Sequence, residues 1–110
     1  MPVQDRRTSR RLIMKVPLRF RPVKATSIPE ETAASMNIST HGVFFATEQK
    51  VSKGLLLRVH LKMPREIIGD DVEEWSFTAR VAQVESLGGA NEISGVGAQF
   101  LYYEVPRASI

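Results

Sequence analysis

The stretch LLLRVHLKM, residues 55–63, alternates between two kinds of side chain. Its odd-numbered positions are all apolar: Leu55, Leu57, Val59, Leu61 and Met63. The positions between them are mostly basic or polar. Because successive side chains of a strand point to opposite faces, a period of two predicts a half-buried β-strand rather than a helix.

The same period occurs on both sides of this stretch. Further strands are predicted at about 13–21, 32–38, 42–48, 73–86 and 96–103. Pro17 has no N–H to donate, so it predicts an edge position or a bulge in the first strand. Gly88 and Gly89 can take positive φ and predict a hairpin between the last two strands. Six strands with no long amphipathic helix predict an all-β fold, either a small barrel or a sandwich.

The chain length suits one domain spanning 1–110. We expect a flexible basic arm over about 1–11, because it has almost no apolar residue to anchor it, and a folded part over about 12–103. No cysteine is present, which excludes disulfides and thiolate chemistry. The N-terminus does not resemble a signal peptide, and no apolar run approaches the ~20 residues of a membrane span. We therefore expect a cytoplasmic protein without membrane insertion.

Positive charge is concentrated at the N-terminus. Eight of the 15 Lys and Arg residues fall in the first 24 positions, where Asp5 is the only acidic residue. Such a distribution predicts an anionic partner, which can be a nucleotide, a nucleic acid or a membrane surface.

The sequence does not predict an enzyme. His41 and His60 are too few for a histidine-rich metal site. Ser39 and His41 lack an identifiable third residue to orient a nucleophile–base pair. No phosphate-binding or dinucleotide-binding glycine loop is present. We therefore expect no catalytic residues, no metal and no cofactor.

Two stretches carry binding chemistry, DRRTSRR at 5–11 and NISTHG at 37–42. Arginines spaced four apart can converge on one ligand, bind phosphate bidentately and stack on flat rings. Asn37 offers a donor and an acceptor to a base edge, and Ser39 points to the same side of an extended backbone. Gly42 permits positive φ or a close backbone approach.

Together the two stretches resemble the motifs of the PilZ domain family, bacterial receptors for the second messenger cyclic di-GMP. RTSRR matches the Arg-x-x-x-Arg arm before the first strand, and NISTHG matches [Asp/Asn]-x-Ser-x-x-Gly. GVGAQF at 95–100 resembles the closing strand of the family's barrel. The resemblance implies a six-stranded antiparallel β-barrel that holds its ligand on the outer surface. Pro106 would interrupt a helix, so the C-terminal helix of many members is expected to be short or absent.

The resemblance also implies the ligand-binding residues. They are Arg7, Arg11, Asn37, Ser39 and Gly42, with Arg6 and Arg10 as auxiliary cations. The pair Arg7 and Arg11 is preferred to Arg6 and Arg10 because Arg11 directly precedes the apolar residues of the first strand.

The resemblance predicts a stand-alone cyclic di-GMP receptor that changes conformation on binding and signals through an unidentified protein effector. One alternative is a PilZ-like protein–protein interaction module that binds no nucleotide. A less favoured alternative is a small β-barrel that binds single-stranded nucleic acid. That barrel would need an aromatic platform, whereas Trp75 and Phe77 are predicted on the core face, and Phe44 or Phe45 is predicted to be buried.

Overall fold

The computed structural model describes residues 12–24, 29–65 and 74–104. The predicted arm, residues 1–11, and the C-terminal stretch 105–110 lie outside the described residues. Their predicted flexibility and short or absent helix therefore remain predictions.

Six strands close into an antiparallel barrel in the order β1-β2-β3-β6-β5-β4. They are β1 Pro17–Pro22, β2 Glu31–Ile38, β3 Gly42–Thr47, β4 Leu56–Lys62, β5 Glu74–Gly88 and β6 Ile93–Glu104. No helical element occurs within the three described ranges, and they hold no helix that could cross a bilayer. The predicted all-β six-stranded antiparallel barrel is confirmed.

The alternating apolar side chains fill the barrel. Leu57, Val59 and Leu61 of β4 are buried, as the period of two predicts. Across the interior, the rings of Phe20 and Phe45 pack with their centroids 4.9 Å apart. Because side chains occupy the interior, a ligand has to bind on the outward-facing surface of the strands, here called the outer wall.

The prediction for Pro17 is wrong. The barrel is closed, so β1 is not an edge strand, and its pairing with β2 shows no bulge at Pro17. Pro17 is instead the first residue of β1, and pairing with β4 begins only at Leu18, opposite Leu61. The missing N–H therefore falls where that ladder has not yet started.

Regular pairing in β1 begins later than predicted, but the preceding residues still lie along β2. They contact β2 around Ser35, just before the pairing of β2 with β3 shifts register. The buried Ser35 hydroxyl accepts a hydrogen bond from the Val16 amide (2.8 Å) and donates one to the Met14 carbonyl (2.5 Å). Farther upstream, the backbones of Leu12 and Ile38 exchange two hydrogen bonds of 2.8 and 2.9 Å. The described chain therefore begins hydrogen-bonded to the end of β2.

The hairpin between β5 and β6 is tighter than predicted, with only residues 89–92 between the strands. Gly88 and Gly89 have φ of 84° and 90°, which confirms their predicted positive φ. β5 ends at Gly88, two residues beyond the predicted end, and two irregularities in it, at Val81/Gln83 and Ser86/Gly88, interrupt the alternation of its faces.

Candidate ligand-binding site

The NISTHG stretch forms the turn between β2 and β3. The Ser39 amide donates to the Gly42 carbonyl (3.0 Å), and the His41 amide donates to the Ser39 hydroxyl oxygen (3.0 Å). The Phe100 amide donates to the His41 carbonyl (2.8 Å), which joins the turn to β6. Ser39 is buried, and its hydroxyl oxygen stabilises the turn by accepting this bond from His41.

Gly42 is required by a close backbone approach. It pairs with Gln99 of β6, and a Cβ at Gly42 would collide with the carbonyl oxygen of Ala98. The positive-φ glycines of the described chain do not include Gly42. Of the two roles that the sequence allowed for Gly42, the structure supports the close approach.

A cavity of about 230 Å³ lies on the outer wall beside this turn. We call it the wall cavity. Its lining includes Asn37, Ser39 and Gly42 together with Phe44, Gln83 and Gln99. The structure thus brings together the three predicted residues of the second motif, on the outer surface of the barrel. No Lys or Arg of the described ranges lines the cavity.

Two glycines of β6 make room for an aromatic ring at this cavity. A Cβ at Gly95 would lie 2.6 Å from Cζ of Phe44, and one at Gly97 would lie 3.6 Å from its Cδ1. The Phe44 ring therefore lies across the glycine backbone on the outer wall, whereas Phe45 is fully buried in the core. Sequence reasoning had not assigned Phe44 to the site. Glycines two apart, on one face of a strand, were the available signal.

Leu12, the residue that follows the arginine arm in the chain, lies beside the same turn. Arg6, Arg7, Arg10 and Arg11 lie outside the described residues, so their contacts remain predictions. The first described residue, Leu12, pairs with Ile38, which stands between Asn37 and Ser39 in the chain. The described chain therefore begins next to the second motif, and the position of the arm beside that motif stays a prediction.

Arg19, one of the basic residues of the N-terminal region, belongs to another part of the wall. Its Nη1 lies 2.9 Å from Oε1 of Glu30, and its Nη2 lies 2.8 Å from both carboxylate oxygens of Glu74. The hydrogen bond with Glu74 raises the pKa of Arg19 above its ordinary value. Two carboxylates therefore pair with Arg19, and Arg19 does not line the wall cavity.

His60 joins the same network and is partly buried, with 21% of its side chain exposed. Its Nδ1 lies 2.8 Å from the Ser76 hydroxyl, and its Nε2 lies 3.4 Å from Oε2 of Glu30. Burial and the neighbouring Arg19 lower the pKa of His60, and they outweigh the opposite effect of Glu30. A neutral ring protonated on Nε2 is compatible with both contacts, because Nδ1 then accepts from the Ser76 hydroxyl and Nε2–H faces Glu30. Within the described ranges, no three His, Asp or Glu side chains are grouped to hold a metal ion.

A model of the PilZ domain family matches residues 4–108, a span that contains both motifs and all six strands. The chain belongs to the PilZ domain family. This family comprises cyclic di-GMP receptors, and its domains are binding modules rather than catalysts. No curated protein matches the chain.

Solved structures of PilZ proteins share the fold. The inhibitor of motility MotI/DgrA of Bacillus subtilis matches with a TM-score of 0.68 and 18% identity, over 94% of this chain and 45% of that chain. The PilZ domain of CeSA from a cellulose-synthesizing bacterium matches with a TM-score of 0.55 and 16% identity, over 84% of this chain and 82% of that chain. The present chain thus spans less than half the length of the MotI chain.

Proposed function

We propose that this PilZ domain is a receptor that binds cyclic di-GMP on its outer wall, between the wall cavity and the arginine arm. The observation that carries the proposal is the convergence of Asn37, Ser39 and Gly42 on one external cavity. The backbone pairing of Leu12 with Ile38 supports the proposal, because Leu12 directly follows the arm in the chain.

The two motifs divide the ligand between them. Because no described lining residue of the wall cavity is Lys or Arg, the phosphate charges require the arm. Arg7 and Arg11 bind phosphate and stack on guanine, and Arg6 and Arg10 contribute auxiliary charge. Asn37 and Ser39 contact the ligand from the wall. Gly42 keeps the turn close to β6.

Binding orders the arm over the cavity, and this change of conformation passes the signal to a protein effector in the cytoplasm. Ordering a flexible segment costs conformational entropy, which several charge-assisted hydrogen bonds offset. The domain itself performs no chemistry and needs no cofactor.

Isothermal titration calorimetry with cyclic di-GMP, GMP and a single-stranded oligonucleotide tests the proposal. We expect cyclic di-GMP to bind, and GMP to bind much more weakly. GMP has only one base and one phosphate for the two motifs to bind. Equal affinities for GMP and cyclic di-GMP would contradict a site for the dinucleotide. Absence of any nucleotide binding would favour the interaction module, and preferential binding of the oligonucleotide would favour the nucleic-acid-binding barrel.

A further inference from the structure

Gln83 of β5 lies at the wall cavity although it belongs to neither motif. It pairs with Gly97 of β6. A Cβ at Gly97 would lie 3.5 Å from Cβ and 3.8 Å from Oε1 of Gln83. The missing side chain at Gly97 therefore leaves the Gln83 amide beside the floor of the cavity.

An irregularity in β5 directs this side chain outward. Phe77, Ala79 and Val81 are buried in the core, so strict alternation would place residue 83 inside the barrel as well. The register with β6 shifts between Val81 and Gln83. Beyond the shift Gln83 is exposed on the outer wall, and Val84 stands opposite the buried Val96. Bulges next to binding sites commonly redirect a side chain in this way.

The surroundings of Gln83 suit a base better than a phosphate. The cavity combines the flat ring of Phe44 and the bare backbone of Gly97 with the amide side chains of Asn37, Gln83 and Gln99, and no described lining residue is Lys or Arg. A planar base can lie against the ring and backbone, while a side-chain amide bonds its edge. A phosphate would find no cationic partner among the described residues that line the cavity.

We propose that Gln83 is a specificity residue whose Oε1 accepts a hydrogen bond from the N1–H and 2-amino edge of a guanine in the wall cavity. This inference rests on the proposed function, because it assigns a contact within the same cyclic di-GMP site. It adds β5 to the strands that contact the ligand.

Calorimetry of four variants with cyclic di-GMP tests the contact. Gln83→Ala removes the acceptor and lowers the affinity by about 3- to 10-fold, the loss typical of one neutral hydrogen bond. Gln83→Glu keeps an acceptor for the two guanine donors and stays within about threefold of the wild type. Gln83→Lys, which has only donors, is at least as weak as the alanine variant. Gln49→Ala, on the exposed stretch after β3, is the matched control and leaves the affinity unchanged.

The glutamate and lysine variants distinguish a base contact from a phosphate contact, since phosphate would repel the carboxylate and attract the ammonium group. Tighter binding by Gln83→Lys together with weaker binding by Gln83→Glu would overturn the inference. An unchanged affinity in Gln83→Ala would also overturn it. The proposed function would then still stand, because the wild-type protein would bind cyclic di-GMP. If the wild-type protein does not bind cyclic di-GMP, the proposed function fails and this inference with it.

Discussion

At the scale of single residues, Gly42 shows how a motif residue can be required by the fold. Its backbone lies so close to β6 that a Cβ would collide with the carbonyl oxygen of Ala98. Backbone atoms in a strand ladder have little freedom to move aside, so the β3–β6 pairing itself would have to shift.

We predict that Gly42→Ala destabilises the domain by about 1–3 kcal/mol, the usual cost of forcing an extra group into a packed region. Gly97→Ala is the matched control, because a methyl group there would meet only ordinary contacts, the nearest at 3.5 Å. Urea unfolding of both variants measures the difference. Equal stability of the Gly42 and Gly97 variants would contradict the close-approach explanation.

The arginines and Asn37 differ in the kind of bond that they offer. Arg11→Ala and Arg7→Ala should nearly abolish cyclic di-GMP binding, a loss of roughly 2–5 kcal/mol for a charge pair broken on one side. Asn37→Ala should cost about 0.5–1.5 kcal/mol, the value of a neutral hydrogen bond. Arg6→Ala and Arg10→Ala should cost less than the other two arginine variants, and their effect should shrink in high salt.

Calorimetric titration of each variant measures these losses, with circular dichroism melts as the control for folding. If the Arg6 and Arg10 variants fail to bind while those of Arg7 and Arg11 bind normally, the assignment of the arm is wrong by one residue. If none of the four arginines affects binding, the receptor proposal fails.

At the scale of elements, Ser35 holds the segment before β1 against β2. Its buried hydroxyl accepts from the Val16 amide and donates to the Met14 carbonyl, just before the pairing of β2 with β3 shifts register. The Ser35 amide also donates to the Val16 carbonyl (2.9 Å), so the backbone and the side chain of Ser35 together hold residues 14–16 on β2.

We predict that Ser35→Ala lowers the free energy of unfolding by about 1–3 kcal/mol, because it leaves the amide and the carbonyl without this partner in a buried place. Ser86→Ala, in the exposed end of β5, is the matched control and should change stability little. Chemical denaturation followed by tryptophan fluorescence measures both. Equal effects of the two substitutions would show that the Ser35 bonds do not stabilise the fold.

The elements also show what the sequence could predict. Alternation around Leu57 and Phe77 identified the strands, because burial on one face requires a period of two. The edge or bulge that the missing N–H of Pro17 predicted is wrong, because the start of a ladder is set by the partner strand. Alternation alone would also misplace Gln83, because the bulge before it is set by the pairing with β6. Phe44 was missed for the same reason, since its place on the outer wall depends on glycines about fifty residues away in the chain. Local patterns do not encode such pairings.

At the scale of the whole molecule, the strand order assembles the site. Pairing of β3 with β6 sets the β2–β3 turn against residues 97–99, and pairing of β6 with β5 adds Gln83. The interior is filled by core side chains, so the barrel serves as a rigid support and the ligand chemistry lies outside it.

A second region of the wall links several elements through the network around His60. The ring faces Ser76, Glu30, Arg19, Glu74 and Arg58, and the pKa of His60 lies below its ordinary value of 6.5, chiefly through burial. The unfolded chain therefore binds a proton at a higher pH than the folded chain does. By linkage, acidification through about pH 6.5 favours the unfolded state until the pH falls below the folded pKa.

We predict that the wild-type free energy of unfolding decreases as the pH is lowered from 7.5 through about 6.5, and that His60→Gln lacks this part of the decrease. Urea unfolding at a series of pH values measures it. If acidification through this range stabilises the wild-type protein relative to His60→Gln, the ring is held in its protonated form, and the neutral assignment is wrong.

NMR titration of the labelled protein with cyclic di-GMP tests most directly whether the ligand lies on the outer wall at the β2–β3 turn. We predict that the largest amide shift changes fall on residues 37–44, 82–83 and 97–99, with little change around Glu30 and Glu74. Changes concentrated at Trp75 and Tyr103, at the Arg19 network, or nowhere in the spectrum would contradict the claim.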